Sequence, residues 1–215
     1  MMNAAARPRR VYGGQSHEDR MAERRKAFVD AGFELIGTEG YRAATVRAVC
    51  KHAGYTDRYF YQLFGSTEGL LLAVYSQVSE QLKQALVTAM DGADASIEAR
   101  SEAGLRAFFR FMRDPRNARI MISEVLGVSD EITALYMRTV VEFAGLLMAA
   151  TASLEPSLAE PNEDNAIFGQ SLIGAVIYAA GAWAMGGYRQ PEESVIAGCR
   201  SILIGALTQR LKEAP

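Results

Sequence analysis

The sequence predicts an all-α protein of about nine helices: a small N-terminal unit of three helices, then a larger helical body. Three observations predict it. Apolar residues recur at three- and four-residue spacing along almost the whole chain. The alternating runs that mark half-buried strands are nearly absent. Glycine, proline and helix-capping residues punctuate the periodic stretches at helix-length intervals. With 49% apolar residues in 215, the chain can fill a real core.

Residues 1–19 are polar and charged and read as a basic arm carrying Arg7, Arg9 and Arg10. No apolar stretch of signal-peptide type follows them. Phe28, Ala31, Leu35 and Ile36 then share one helical face, ended by Gly37 and Gly40. Thr45 precedes a short helix with Val46, Val49 and Cys50 on its apolar stripe. Ala53-Gly54-Tyr55 interrupts it. Thr56 caps the next short helix, whose Phe60 and Phe64 face inward. Ser66 caps a long helix with Leu70, Leu71, Val74, Val78 and Leu82. Beyond it, Ser96, Pro115, Ser129, Asn162 and Pro191 open further helices, and 155–161 reads as a loop.

Three helices in about fifty residues, the second and third short and separated by a glycine turn, have helix-turn-helix geometry. In such a unit the last helix enters the major groove while its partner braces it. Arg58, Tyr59 and Gln62 fall outward on that helix, with Tyr61 at its edge. Charge agrees with a polyanion at this end: residues 1–64 hold 11 Lys/Arg against 7 Asp/Glu, and residues 65–215 hold 12 against 18.

Gly40-Tyr41, Thr45-Val46-Arg47, Ala53-Gly54-Tyr55-Thr56, Phe60-Tyr61, Phe64, Ser66, Glu68, Leu70-Leu71 and Ala73-Val74-Tyr75 resemble the signature of TetR/AcrR-type regulators. The resemblance covers about Ala27–Tyr75. It implies a DNA-binding domain at 20–66 and a ligand-binding and dimerisation domain at 67–215. It implies phosphate contacts from Thr45, Thr56 and Tyr61, and base or groove contacts from Arg47, Arg58, Tyr59 and Gln62. Thr67 stands where the family usually has lysine, and Gln62 where histidine is frequent. The implied function is a ligand-responsive repressor that binds palindromic double-stranded operator DNA as a homodimer and is released by a small apolar or amphipathic effector. An activator would use the same DNA-binding unit, and a helical adaptor without DNA function is the alternative class.

The stretch from Asn165 to Tyr188 carries no charge and is long enough to span a bilayer, but it is rich in Gly and Ala and reads as a buried or interface helix. Ser171, Ala175, Ala179, Ala182 and Gly186 form a small-residue stripe on it, and Ala197, Ser201, Gly205 and Thr208 form another on the last helix. Two such stripes suit a four-helix dimer interface, where the family's dimers form. Aromatic and methionine residues of the central helices, Phe111, Met112, Tyr136, Phe143, Tyr178 and Trp183 foremost, are the expected pocket wall. Only two histidines occur, and no metal-ligand spacing, phosphate loop or nucleophile elbow appears, so no enzyme, metal or cofactor is expected. Two cysteines, Cys50 and Cys199, fit a reducing cytoplasm.

Overall fold

The structure, a computed structural model, describes residues 16–152, 156, 160 and 162–213. The basic arm expected at residues 1–15, and most of the loop expected at 155–161, lie outside the described residues. Nine α-helices and no strand occur among the described residues. They are α1 (His17–Glu39), α2 (Val46–Ala53), α3 (Asp57–Phe64), α4 (Thr67–Asp91), α5 (Ile97–Met112), α6 (Pro115–Ala118), α7 (Asp130–Ala152), α8 (Glu163–Met185) and α9 (Glu192–Glu213).

The capping residues read from the sequence act largely as caps. The side chains of Thr45, Ser66, Ser96 and Asn162 accept from the third backbone N–H of α2, α4, α5 and α8, respectively. Ser16 and Asp19 form a reciprocal capping box, so α1 starts at His17, inside the stretch read as arm. Gly37 does not end α1. It sits inside the helix, where an added Cβ would lie 2.5 Å from Arg116 Cβ, so only glycine lets α6 approach so closely. Gly40, at φ 95°, makes the actual stop. The helix expected from Pro115 is a single α turn followed by a π-helical turn, Arg119–Ser123.

The core is continuous from end to end. Phe28 lies against Tyr55, Phe60 and Phe64 at ring distances of 5.7–5.9 Å, tying α1 to the two short helices. Buried Leu70, Leu71, Val74, Val78 and Leu82 carry the core along α4 into the body, where α5, α7 and α8 meet it. Arg106 makes a bidentate pair with Glu193 at 2.6 and 2.8 Å, and Arg113 pairs with Glu192, fixing α9 to α5. Both α7 and α8 are long and apolar enough to cross a membrane by length and composition. Here each packs with its inner face in the shared core, through Phe143 and Leu147 of α7 and Leu172 and Val176 of α8.

Candidate nucleic-acid interface and ligand cavity

α2 and α3 are held at a fixed crossing by Val49 and Phe60, both fully buried. Gly54 makes the turn between them in the left-handed region, at φ 73° and ψ 22°, where a side chain would be strained. This crossing leaves Thr45, Arg47, Thr56, Arg58, Tyr61 and Gln62 exposed. Arg58, Tyr61 and Gln62 stand at i, i+3 and i+4 and share one outward face of α3.

Two details differ from the sequence reading. Thr56 occupies the cap position of α3 but its hydroxyl makes no capping bond, because Asp57 Oδ1 turns back to accept from the Arg58 N–H at 2.8 Å. Tyr59 is half-buried rather than outward. Its ring lies edge-on to Tyr55, and the Arg24 guanidinium stacks 4.1 Å above its centre. Arg24 of α1 is thereby held beside α3, next to the exposed Arg58, and Arg25 stacks on Phe64. Sequence reasoning missed both, since an arginine on α1 shows no sign of which aromatic it will meet.

A cavity runs through the body between α4, α5, α7 and α8. Its volume is about 80 Å³, small for so long a wall, so it is a narrow slot. Met112, Tyr136 and Phe143, three of the six expected wall residues, line it. Phe111, Tyr178 and Trp183 do not. On α5 the cavity face is Leu105, Phe108 and Met112, and Phe111 lies a quarter-turn away. Tyr178 points to solvent at 79% exposure. Trp183 is buried outside the slot, donating Nε1–H to the Gln190 carbonyl and lying 4.8 Å from the Tyr188 ring. Tyr188 in turn donates to the Met112 carbonyl, so this pair braces the end of α5. The wall residues that the sequence did not single out include Tyr75, Leu86, Met90, Arg100 and Ser101.

Met121 and Ile122 of the π turn close the cavity end nearest the N-terminal unit. Ile122 also lines an outer groove shared with Gly37 and Thr38 of α1. The same short stretch grips the N-terminal unit with polar contacts. Arg116 Nη1 pairs with Glu34, and its guanidinium lies over Phe33. Arg119 donates to the Thr38 carbonyl. Glu124 accepts the Tyr41 N–H at 2.7 Å, reached because Gly40 has no side chain. Ser129 donates to Glu68 at the start of α4. The Arg116 guanidinium holds the Asp114 carboxyl below its ordinary value, keeping this cluster charged.

The two small-residue stripes lie on the outer side of α8 and α9. Ser171, Ala182, Ala197, Ser201, Gly205 and Thr208 are exposed, while Ala175, Ala179 and Gly186 are half-buried. Ile167, Tyr178, Met185 and Ile202 stand exposed beside them. Cys50 and Cys199 both have their thiol pKa pushed up by burial, which suppresses the reactive thiolate.

Comparison with known proteins agrees with this geometry. The family model of bacterial regulatory proteins, tetR family, matches residues 28–74. The HTH-type transcriptional regulator BetI of Rhizobium meliloti (strain 1021) is 37% identical over 87 residues, which make up 40% of this chain and 42% of that protein. The match thus spans about two fifths of the length of this curated relative. Among solved structures, a putative transcriptional regulator from Pseudomonas aeruginosa PAO1 superposes with TM-score 0.71 at 17% identity, over 89% of this chain and 96% of that one. The transcriptional regulator FadR from Bacillus subtilis, solved in complex with stearoyl-CoA, superposes with TM-score 0.69 at 16% identity, over 84% and 98%. The structural matches establish a shared fold. Residues 28–74 thus match the tetR family of bacterial regulatory proteins, and the chain as a whole shares the fold of these solved regulators.

Proposed function

We propose that the protein is a cytoplasmic repressor that binds a palindromic operator as a homodimer and leaves it when an apolar or amphipathic molecule fills the cavity. The division at about residue 66 separates the DNA-reading unit from the ligand-binding and dimerising body. The observation that carries the proposal is the shared π turn: Met121 and Ile122 face the cavity while Arg116, Arg119 and Glu124 on either side hold α1 and its following turn. A ligand that displaces Met121 moves the grip on the DNA-reading unit, and through α4 it also changes the spacing of the two recognition helices in a dimer. A palindrome fixes that spacing. The stearoyl-CoA held by the similarly folded FadR supports an amphipathic ligand.

In this reading Thr45, Thr56 and Tyr61 contact phosphates, Arg47, Arg58 and Gln62 face base edges, and Tyr59 serves as the platform for Arg24. Dimerisation uses the α8–α9 face carrying Ser171, Ala179, Gly205 and their neighbours. Selection from a random DNA pool tests the assignment. Wild-type protein should recover an inverted repeat with half-sites about one helical turn apart or a multiple of it, with affinity falling steeply in salt. Arg58→Ala should flatten the preference at one base pair per half-site by about 1–3 kcal/mol, whereas Tyr61→Phe should weaken binding to all sequences alike. Recovery of the wild-type motif by Arg58→Ala would remove Arg58 as a base reader.

A further inference from the structure

We propose that the cavity gauges an unbranched aliphatic chain from end to end, with Arg100 and Ser101 taking the ligand's oxygen-bearing head and Met121 and Ile122 meeting its tail. The inference rests on the ligand-responsive reading above and specifies the ligand class. Shape is the first argument. The cavity wall follows α4 from Tyr75 to Met90, a run of about 22 Å at 1.5 Å per residue. So small a volume along so long a wall suits a methylene chain better than a fused-ring molecule. Between the two ends the wall is hydrocarbon, including Leu82, Leu86, Leu105, Phe108, Phe143 and Leu147.

Polarity sets the direction. Ser101 is only 5% exposed and lines the cavity, and among the described residues its hydroxyl makes no hydrogen bond. A hydroxyl buried in this way lacks a partner that a ligand oxygen would supply. Next to it Arg100 lines the same end, its Nη1 fixed on the Ala150 carbonyl at 2.6 Å, so a cationic group is already anchored there. The opposite end also carries hydroxyls, on Tyr75, Tyr136 and Thr139, but no charged side chain lines it among the described residues. There Tyr75 has Thr139 as its hydrogen-bond neighbour, and burial pushes its phenol up to about 12, so it stays neutral. A carboxylate or a thioester carbonyl fits the Arg100–Ser101 end, and the chain then points at Met121 on the π turn.

Calorimetric titration of the full chain with octanoate, laurate, palmitate and stearate, and with their CoA thioesters, tests the proposal. Affinity should rise about fourfold per added methylene until the slot is full, then level off or fall. Met121→Phe should move that limit to a shorter chain. Ser101→Ala, a minimal change whose folding is checked by its melting curve, should weaken every chain about fivefold, the worth of one hydrogen bond. The free-acid and thioester arms identify which source supplies the head. Affinity independent of chain length, an unmoved limit in Met121→Phe, unaltered binding in Ser101→Ala, or no binding by either series overturns the proposal. Length-gauged binding that leaves DNA affinity unchanged would keep the gauge and remove the functional reading. Operator release by a compact ring system alone would keep the functional reading and remove the gauge.

Discussion

Gly205→Arg should yield a folded monomer whose affinity for operator DNA is lower by about 100- to 10,000-fold. An added Cβ at Gly205 meets nothing within 4 Å, so the chain itself accommodates the larger residue. Glycine inside a helix is also a poor helix former, so the replacement does not weaken α9. Any loss must therefore arise outside the single chain. In a dimer built on the α8–α9 face, a guanidinium would enter a surface of alanine, serine and glycine, where it blocks close approach and is stripped of water without a partner. A monomer engages one half-site only and forfeits the effective concentration that links the second. Sedimentation velocity and footprinting read both effects. A dimeric variant with full operator affinity would place the interface on another face.

The second large effect is on stability. Phe60→Ala should cost about 3–5 kcal/mol and abolish DNA binding. Phe60 is fully buried and sits 5.6–5.7 Å from the rings of Phe28, Tyr61 and Phe64. Its removal leaves a cavity where α1, α2 and α3 converge, and α3 is too short to hold its orientation unaided. The DNA-reading unit should loosen first, because the body keeps its own packing around Phe109, Ile120 and Trp183. Urea unfolding followed by circular dichroism measures the loss. A stability within about 1 kcal/mol of wild type would show that α2 and α3 are held by something other than this aromatic cluster.

The N-terminal unit was legible because its signals are local. Thr45, Gly54, Phe60 and Ser66 act within a few residues of their own positions, through caps, a left-handed turn and helical spacing. The small-residue stripes were legible for the same reason: spacing along one helix assigns a face, and Ser171, Ala197 and Gly205 do share outward faces. The cavity was legible only as a composition. Which aromatics face it depends on the rotation of each helix about its axis. A quarter-turn of α5 separates Phe108 and Met112, which line the slot, from Phe111, which does not. The grip between the body and the DNA-reading unit left no signal at all. Arg116 and Glu34 are 82 residues apart, and Glu124 and Tyr41 are 83 apart. Each looks like an ordinary surface residue until the fold brings them together. The π turn at 119–123 was equally hidden, since its residues read as a plain helix.

The central claim is that cavity and operator are coupled, and reciprocity tests it most directly. The operator affinity should be measured with and without palmitoyl-CoA, and the palmitoyl-CoA affinity with and without operator, at one salt concentration. The account predicts that each ligand weakens the other by the same factor, tens of fold, which needs only about 2 kcal/mol of differential affinity between the two states. Arg119→Ala or Glu124→Gln, which loosen the grip of the π turn on Thr38 and Tyr41, should reduce that factor while leaving palmitoyl-CoA affinity for the DNA-free protein nearly unchanged. Palmitoyl-CoA that occupies the cavity while operator affinity stays the same would contradict the account.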